Sequence, residues 1–272
     1  MAGSGPPRRW WRHWLGWLLA ALAIYVVLAY LVLPSLWRHY EHQPGLESVP
    51  KTTTAADGVP GDPLNIGLVA AEAEVVRALL AAGWQPADPI TFRTSLEIAV
   101  SVLLRRPDPD APVSSEYLWG RRQDLAFEKA VGGSARQRHH VRFWRSNELG
   151  ADGRPTWLGA ATFDRGVGFG HRTGEITHHI APDVDAERDT LSKDLVDTGQ
   201  VTRIYRVSGV GPTLWDQNGE GDRYYTDGDM VVLVLTRDSV AREQPPERLR
   251  SPPAVAAKNA VFGWLRGWLG SW

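Results

Sequence analysis

The chain contains no cysteine. That excludes disulfides and a cysteine nucleophile, and it is compatible with an oxidising exterior without establishing one. There is no Gly-x-Ser-x-Gly elbow, no Gly-rich loop ending in Gly-Lys-Ser/Thr and no dinucleotide-binding fingerprint. Serine-hydrolase, P-loop and dinucleotide chemistry therefore have no support in the sequence. An excess of one charge is missing too: 30 Lys and Arg balance 31 Asp and Glu, a formal net charge of −1. No global field recruits nucleic acid, so no nucleic-acid partner is expected. Internal repeats are absent as well.

What the chain does have is an uncharged run from Trp14 to Leu33, WLGWLLAALAIYVVLAYLVL. At about 1.5 Å rise per residue it reaches roughly 30 Å as a helix, the depth of a bilayer's hydrocarbon core. Trp10, Trp11, Trp14 and Trp17 crowd one end, with Trp37 and Tyr40 at the other, where amphipathic rings meet headgroups. The run is longer than a signal-peptide core, and Pro34-Ser35-Leu36-Trp37 is no small-residue cleavage site. It reads as a retained, single-pass anchor. Arg8, Arg9 and Arg12 precede it, whereas Arg38 alone follows closely. This asymmetry predicts a cytoplasmic N-terminus and an extracytoplasmic main domain. Of 13 tryptophans, five surround the anchor and three lie in the last nine residues, so the Trp excess is mostly a membrane signal.

The expected organisation is a cytoplasmic N-terminus (1–13), the anchor (14–33), a stalk without periodicity (34–61), a folded body (62–237), a Pro-rich linker (238–258) and a Trp-rich amphipathic tail (259–272). Within the body, LNIGLVA (64–70) reads as a strand and residues 71–84 as a helix stopped by Gly83, with a second helix over 95–104. Strands follow in QDLAFEKAV, RHHVRFWR, PTWLGAATFDR and EITHHI. A helix then opens at Pro182-Asp183 and ends at Gly199, before two closing strands at VTRIYRVSGV and DMVVLVLTR. This order predicts an α+β fold, a largely antiparallel sheet with packed helices, preceded by one N-terminal transmembrane helix. The tail is too short to span a bilayer. Two readings stay open for it: an interfacial helix, or docking onto the domain's own surface.

The segment Trp119–Ile180 concentrates basic residues and histidines. Strand parity puts His139 with Val141 and Phe143, and Arg138, His140, Arg142 and Trp144 on the other face. Likewise His178 shares a face with Ile176 and Ile180, and His179 with Thr177. If the apolar sets face the core, His139 and His178 are enclosed and His140 and His179 exposed. Two readings compete for these groups. Arg121, Arg122, Arg142 and Arg165, with His140 and His171, form a candidate anion site, since guanidinium groups suit phosphate oxygens. Gly166–Gly170 adds backbone N–H donors or is simply a hairpin turn. Alternatively His139, His140, His178 and His179, with Asp164, Asp183 or Asp185, hold a divalent metal, although no pair has the helical His-x-x-x-His spacing. The candidate catalytic groups are then His139, His178 and Asp164. Asp183, Asp185, Glu187 and Asp189 are accounted for by the first turns of a helix.

At these residues the chain resembles the LssY C-terminal domain family. The resemblance rests on DPLNIGLV, AAGW followed by ADPIT, GRRQDLAFEKAVGG, RHHVRFW, WLGAATFDRGVG and THHIAPDVDAERD, and covers roughly residues 61–207. The family often follows membrane modules, among them lipid-phosphate phosphatase and DedA-like ones, and has no assigned activity of its own. This chain has one anchor helix and no phosphatase domain, so the resemblance implies no lipid phosphatase activity. The expected function is that of a membrane-anchored envelope protein binding an anionic, phosphate-bearing ligand at the membrane surface. The alternatives are a metal-assisted phosphoester hydrolase built on the His pairs, and an assembly partner for membrane proteins of an envelope complex.

Overall fold

The computed structural model describes residues 10–35, 49–87, 115–132, 134–169, 176–212 and 214–270. The chain divides into two units, Met1–His42 and Gln43–Trp272. In the first, helix α1 (Trp10–Val27) runs into a π-helical turn over Leu28–Val32, and His13–Ser35 is helical throughout and unburied. The wide turn has a local cause. Pro34 lacks an N–H and its ring crowds the carbonyl four residues back, which an i→i+5 bond from Leu33 N to Leu28 O accommodates. This one helix is long and apolar enough to cross a membrane.

The second unit begins with strands β1 (Thr52–Ala55), β2 (Pro60–Pro63) and β3 (Ile66–Val69). Helix α2 (Glu72–Ala81) starts where Glu74 accepts a hydrogen bond from Ala71 N at 2.7 Å, and stops at Gly83, whose φ of +80° suits glycine. Then come β4 (Gln85–Pro86), β5 (Glu116–Leu118), β6 (Arg121–Arg122), β7 (Leu125–Val131), β8 (Ser134–Leu149), β9 (Pro155–Phe169) and β10 (Ile176–Ile180). Helix α3 (Val184–Asp197) is capped by Asp183, which accepts from Ala186 N, and ends before Gly199. Strands β11 (Val201–Val207), β12 (Leu214–Gln217), β13 (Arg223–Thr226), β14 (Met230–Leu235) and β15 (Glu247–Arg248) precede helix α4 (Pro253–Leu269).

The main sheet runs β15-β11-β14-β3-β9-β8-β7-β4, with β10 added on β9. Its pairs are antiparallel except β14–β3 and β11–β15. A smaller antiparallel sheet, β2-β1-β5-β6, and the β12–β13 hairpin complete the fold. The fold is therefore α+β with antiparallel sheets, as the element order predicts.

Both faces of the main sheet are buried. On one, Ile66, Leu68, Phe127, Val141, Phe143, Trp157 and Leu233 pack with Val75 and Leu79 of α2 and Leu191 and Leu195 of α3. On the other, Trp144, Leu158, Ala160, Met230 and Val232 pack with Leu64 and with Leu118 of β5. This explains why MVVLVL has no alternation: a strand covered on both sides needs apolar residues at every position.

Two boundaries differ from the sequence reading. The stalk was expected to reach residue 61, yet β1 and the first half of β2 lie inside it as folded strands. Their pairing is supported by polar contacts, Thr53 Oγ1 with Asp62 N and Glu116 Oε2, so no apolar period marks them. The linker over 238–258 contains β15 and the start of α4, and the tail is the remainder of that helix. The expected helix over 95–104 lies outside the described residues.

Candidate functional site

The long antiparallel pair β8–β9 sets the site. Its register places Arg138 opposite Asp164 and His140 opposite Thr162, with Arg142 two residues on along the same face. The small sheet lies over this face and delivers Asp62 from β2, Glu116 from β5 and Thr53 from β1. Strand β10 delivers His178. All of these except Thr53 and Thr162 line a cavity of ≈ 80 Å³ that the turn Asn218–Glu220 also borders. By volume it takes several waters or one phosphate-sized group, well short of a drug-sized ligand.

The side chains form one network. Arg138 Nε donates to Asp164 Oδ2 at 3.0 Å and Nη1 to Glu128 Oε2 at 3.0 Å, while Nη2 lies 3.1 Å from His178 Nε2. His140 Nδ1 sits 3.0 Å from Asp164 Oδ1, and its Nε2 is 2.8 Å from Thr162 Oγ1. Thr162 Oγ1 donates to Asp62 Oδ2 at 3.0 Å, and Arg142 Nη1 reaches the same oxygen at 3.3 Å. Arg142 Nη1 is also 3.6 Å from Glu116 Oε1. Buried charges persist only when paired in this way.

Burial and neighbours set the protonation states. Burial works against a charged His140, but the Asp164 carboxylate outweighs it and pushes the imidazole up to about 9. Burial raises Asp62, yet the His140 imidazole 3.6 Å away and the Arg142 charge bring it below the usual carboxylate range. Asp164 is held low for the same kind of reason: burial is outweighed by the charge of His140. Glu116 goes the other way, raised to about 7 by burial that Arg142 only partly offsets. Burial lowers His178, leaving it neutral at pH 7. Its Nδ1 and the Glu220 Oε2 are buried without a hydrogen-bond partner, and both residues line the cavity.

The sequence-derived candidates therefore separate. His140, Arg142, Asp164 and His178 meet in the cavity. His139 faces the helices instead, 2.7 Å from Glu187 Oε2 and tilted against the Phe163 ring. His179 pairs with Asp222 at 2.9 Å. The His-His pairs thus do not form one cluster, because adjacent strand residues point to opposite faces. The expected exposure also inverts: His140 is 4 % exposed, the most buried of the four. Parity placed it correctly beside Arg138 and Arg142, but that face is covered by the small sheet. Arg121 lies on the exposed β6, bound to Asp124 at 2.7 Å, and Arg122 is exposed beside it. Arg165 is exposed, 3.7 Å from Asp222. His171 lies outside the described residues.

Asp62, Glu116, Thr53, Thr162 and Arg138 join the site without having been singled out for it. Asp62 sits in DPLNIGLV, a run that carries the family resemblance; Glu116 has no local signal at all. Among the described residues, no three His, Asp or Glu side chains are placed to hold a metal ion. The four histidines considered as metal ligands from sequence do not converge: His140 and His178 line the cavity, while His139 pairs with Glu187 and His179 with Asp222.

The sequence model described as LssY C-terminus matches residues 46–230. That range contains every cavity residue named above and excludes α1 and α4. No curated protein and no solved structure matches the chain.

Proposed function

Because the chain belongs to the LssY C-terminus family, a description that names no reaction, we propose from the geometry that it is a bilayer-anchored domain taking a small phosphate-bearing group into the β8–β9 cavity. The observation that carries the reading is the convergence of Arg138, His140, Arg142 and His178 on one ≈ 80 Å³ cavity. Two guanidinium groups and a charged imidazole offer directed donors to phosphate oxygens. Asp62 and Asp164 keep these cations ionised and oriented. Their negative charge also means that an incoming anion must be offset, and the groups available for that are Glu116, near 7, and the neutral His178. Binding is then coupled to proton uptake, and affinity rises as pH falls.

Support for the anchor is the helix His13–Ser35, apolar, unburied and flanked by Trp. With the three preceding arginines inside, the domain faces the exterior, among envelope molecules. The ligand chemistry in view is a phosphate monoester headgroup or free phosphate.

Calorimetric titration of the detergent-solubilised full chain with inorganic phosphate and with glycerol 3-phosphate tests this. We expect saturable binding that tightens as pH falls, by up to about tenfold per pH unit for each proton taken up, and that is abolished by Arg142→Ala. Because Arg142 is buried, His178→Gln serves as a milder variant, expected to weaken binding while the far-ultraviolet circular dichroism is kept. No binding at millimolar ligand, or binding indifferent to both variants, overturns the proposal. A hydrolytic reading rests on Glu116 alone, whose value near 7 suits proton transfer. Release of inorganic phosphate from glycerol 3-phosphate in the same cell would favour it.

A further inference from the structure

Helix α4 is built inside out. A helix on a globular domain normally turns apolar residues inward and charges outward. Here Val255, Lys258, Asn259, Phe262 and Arg266 form the docked stripe. Lys258 bonds the Asp229 carboxylate, and Asn259 Nδ2 donates to Asp229 Oδ2 at 2.7 Å. Arg266 donates twice to Asp183, from Nε and from Nη2, each at 2.7 Å. The helix's cations are thus used against the domain, and its sequence contains no acidic residue.

At 100° per residue, Ala257, Val261, Trp264 and Trp268 fall on the opposite side. Trp264 is 79 % exposed, Trp268 60 % and Val261 59 %. This outward stripe carries no charge. Beside it, a groove between α3, β11 and α4 is lined by Arg188, Arg206 and Arg266, each already paired with an aspartate, and by the exposed Arg250.

We infer that the outer face of α4 lies in the headgroup region of a bilayer, with Trp264 and Trp268 immersed. The chemistry selects a lipid surface over a second protein copy on two counts. Tryptophan is the side chain that interfaces enrich, its ring apolar and its N–H satisfied by headgroups. The chain's own span-length apolar helix, flanked by tryptophans, supplies that surface. The inference rests on the anchor reading, which brings the folded unit to a bilayer, and is independent of the phosphate cavity. Docking and membrane contact are then properties of opposite faces of one helix.

The absence of cysteine makes the test specific. Val261→Cys in the full chain accepts one environment-sensitive fluorophore; Val240→Cys, 73 % exposed and outside α4, serves as the aqueous control. Each is reconstituted into vesicles of phosphatidylcholine and phosphatidylglycerol. The expected result is a blue-shifted probe at 261, quenched about twofold or more by brominated lipid, and an unshifted, unquenched probe at 240. Identical behaviour of the two probes overturns the inference. So does a blue shift at 261 that brominated lipid does not quench, which indicates a protein neighbour. Alkaline carbonate extraction separates this from the anchor. A chain that resists extraction with an unquenched probe retains the anchor and rejects the interface; an extractable chain with a quenched probe does the reverse.

Discussion

At His140, two opposing effects meet and the outcome is measurable. Burial alone would deprotonate the ring, but Asp164 at 3.0 Å holds the proton and lifts the group from 6.5 to about 9. The folded state binds that proton more tightly than the unfolded chain. The resulting stability is complete below pH 6.5 and is lost as pH rises through about 9. A shift of this size corresponds to about 3 kcal/mol, or roughly 6–12 °C in melting temperature for a domain of this class. Glu116, raised to about 7, adds in the same sense at lower pH: its contribution is present below 4.5 and lost by about 7. Melting followed by circular dichroism should therefore show a midpoint falling between pH 6.5 and 9. His140→Gln should flatten that slope; an unchanged slope would mean that His140 is not the titrating group.

At the scale of elements, Asp183 joins two helices that the sequence separates widely. One oxygen caps α3 at Ala186 N, and both oxygens receive Arg266 of α4. Asp183→Ala should cost about 1 kcal/mol for the lost cap and should also raise amide hydrogen exchange over residues 260–269. Asp183→Asn should retain the cap and raise only the exchange. Elements with strong local signals were legible beforehand: α2 from its apolar period and Gly83, α3 from its early acids and Gly199, β3 and β14 from their apolar runs. Strands β1 and β2 were not. Thr-Thr-Thr-Ala and Pro-Gly-Asp-Pro carry no alternation, and what makes them strands is pairing with each other and with β5, 63 residues away at Thr53–Glu116.

For the whole molecule, the decisive property is that the main sheet has no solvent face at its centre. A one-sided sheet would leave Trp144 near the surface and its removal almost neutral. Instead Trp144 and Trp157 are both fully buried, on opposite faces. Trp144→Ala and Trp157→Ala should each lose about 3–5 kcal/mol in urea unfolding. A loss below about 0.5 kcal/mol for Trp144 alone would contradict two-sided packing. The same layering encloses the cavity: the small sheet covers His140 and Arg142 and sets Asp62 and Glu116 against Arg142, while Arg138 is matched within the main sheet by Asp164 and Glu128.

The sequence by itself determined the span-length apolar helix, the α+β class, the positions of most long elements and the family, because each of these is written in local composition and periodicity. It also determined which residues share a strand face. Which of those faces is buried, which histidine keeps its proton and which side of α4 meets the domain were decided only by tertiary structure. The reason is distance along the chain: Asp62 and Arg142 are 80 residues apart, Asp183 and Arg266 are 83, and only the packing of separate layers brings such charges together.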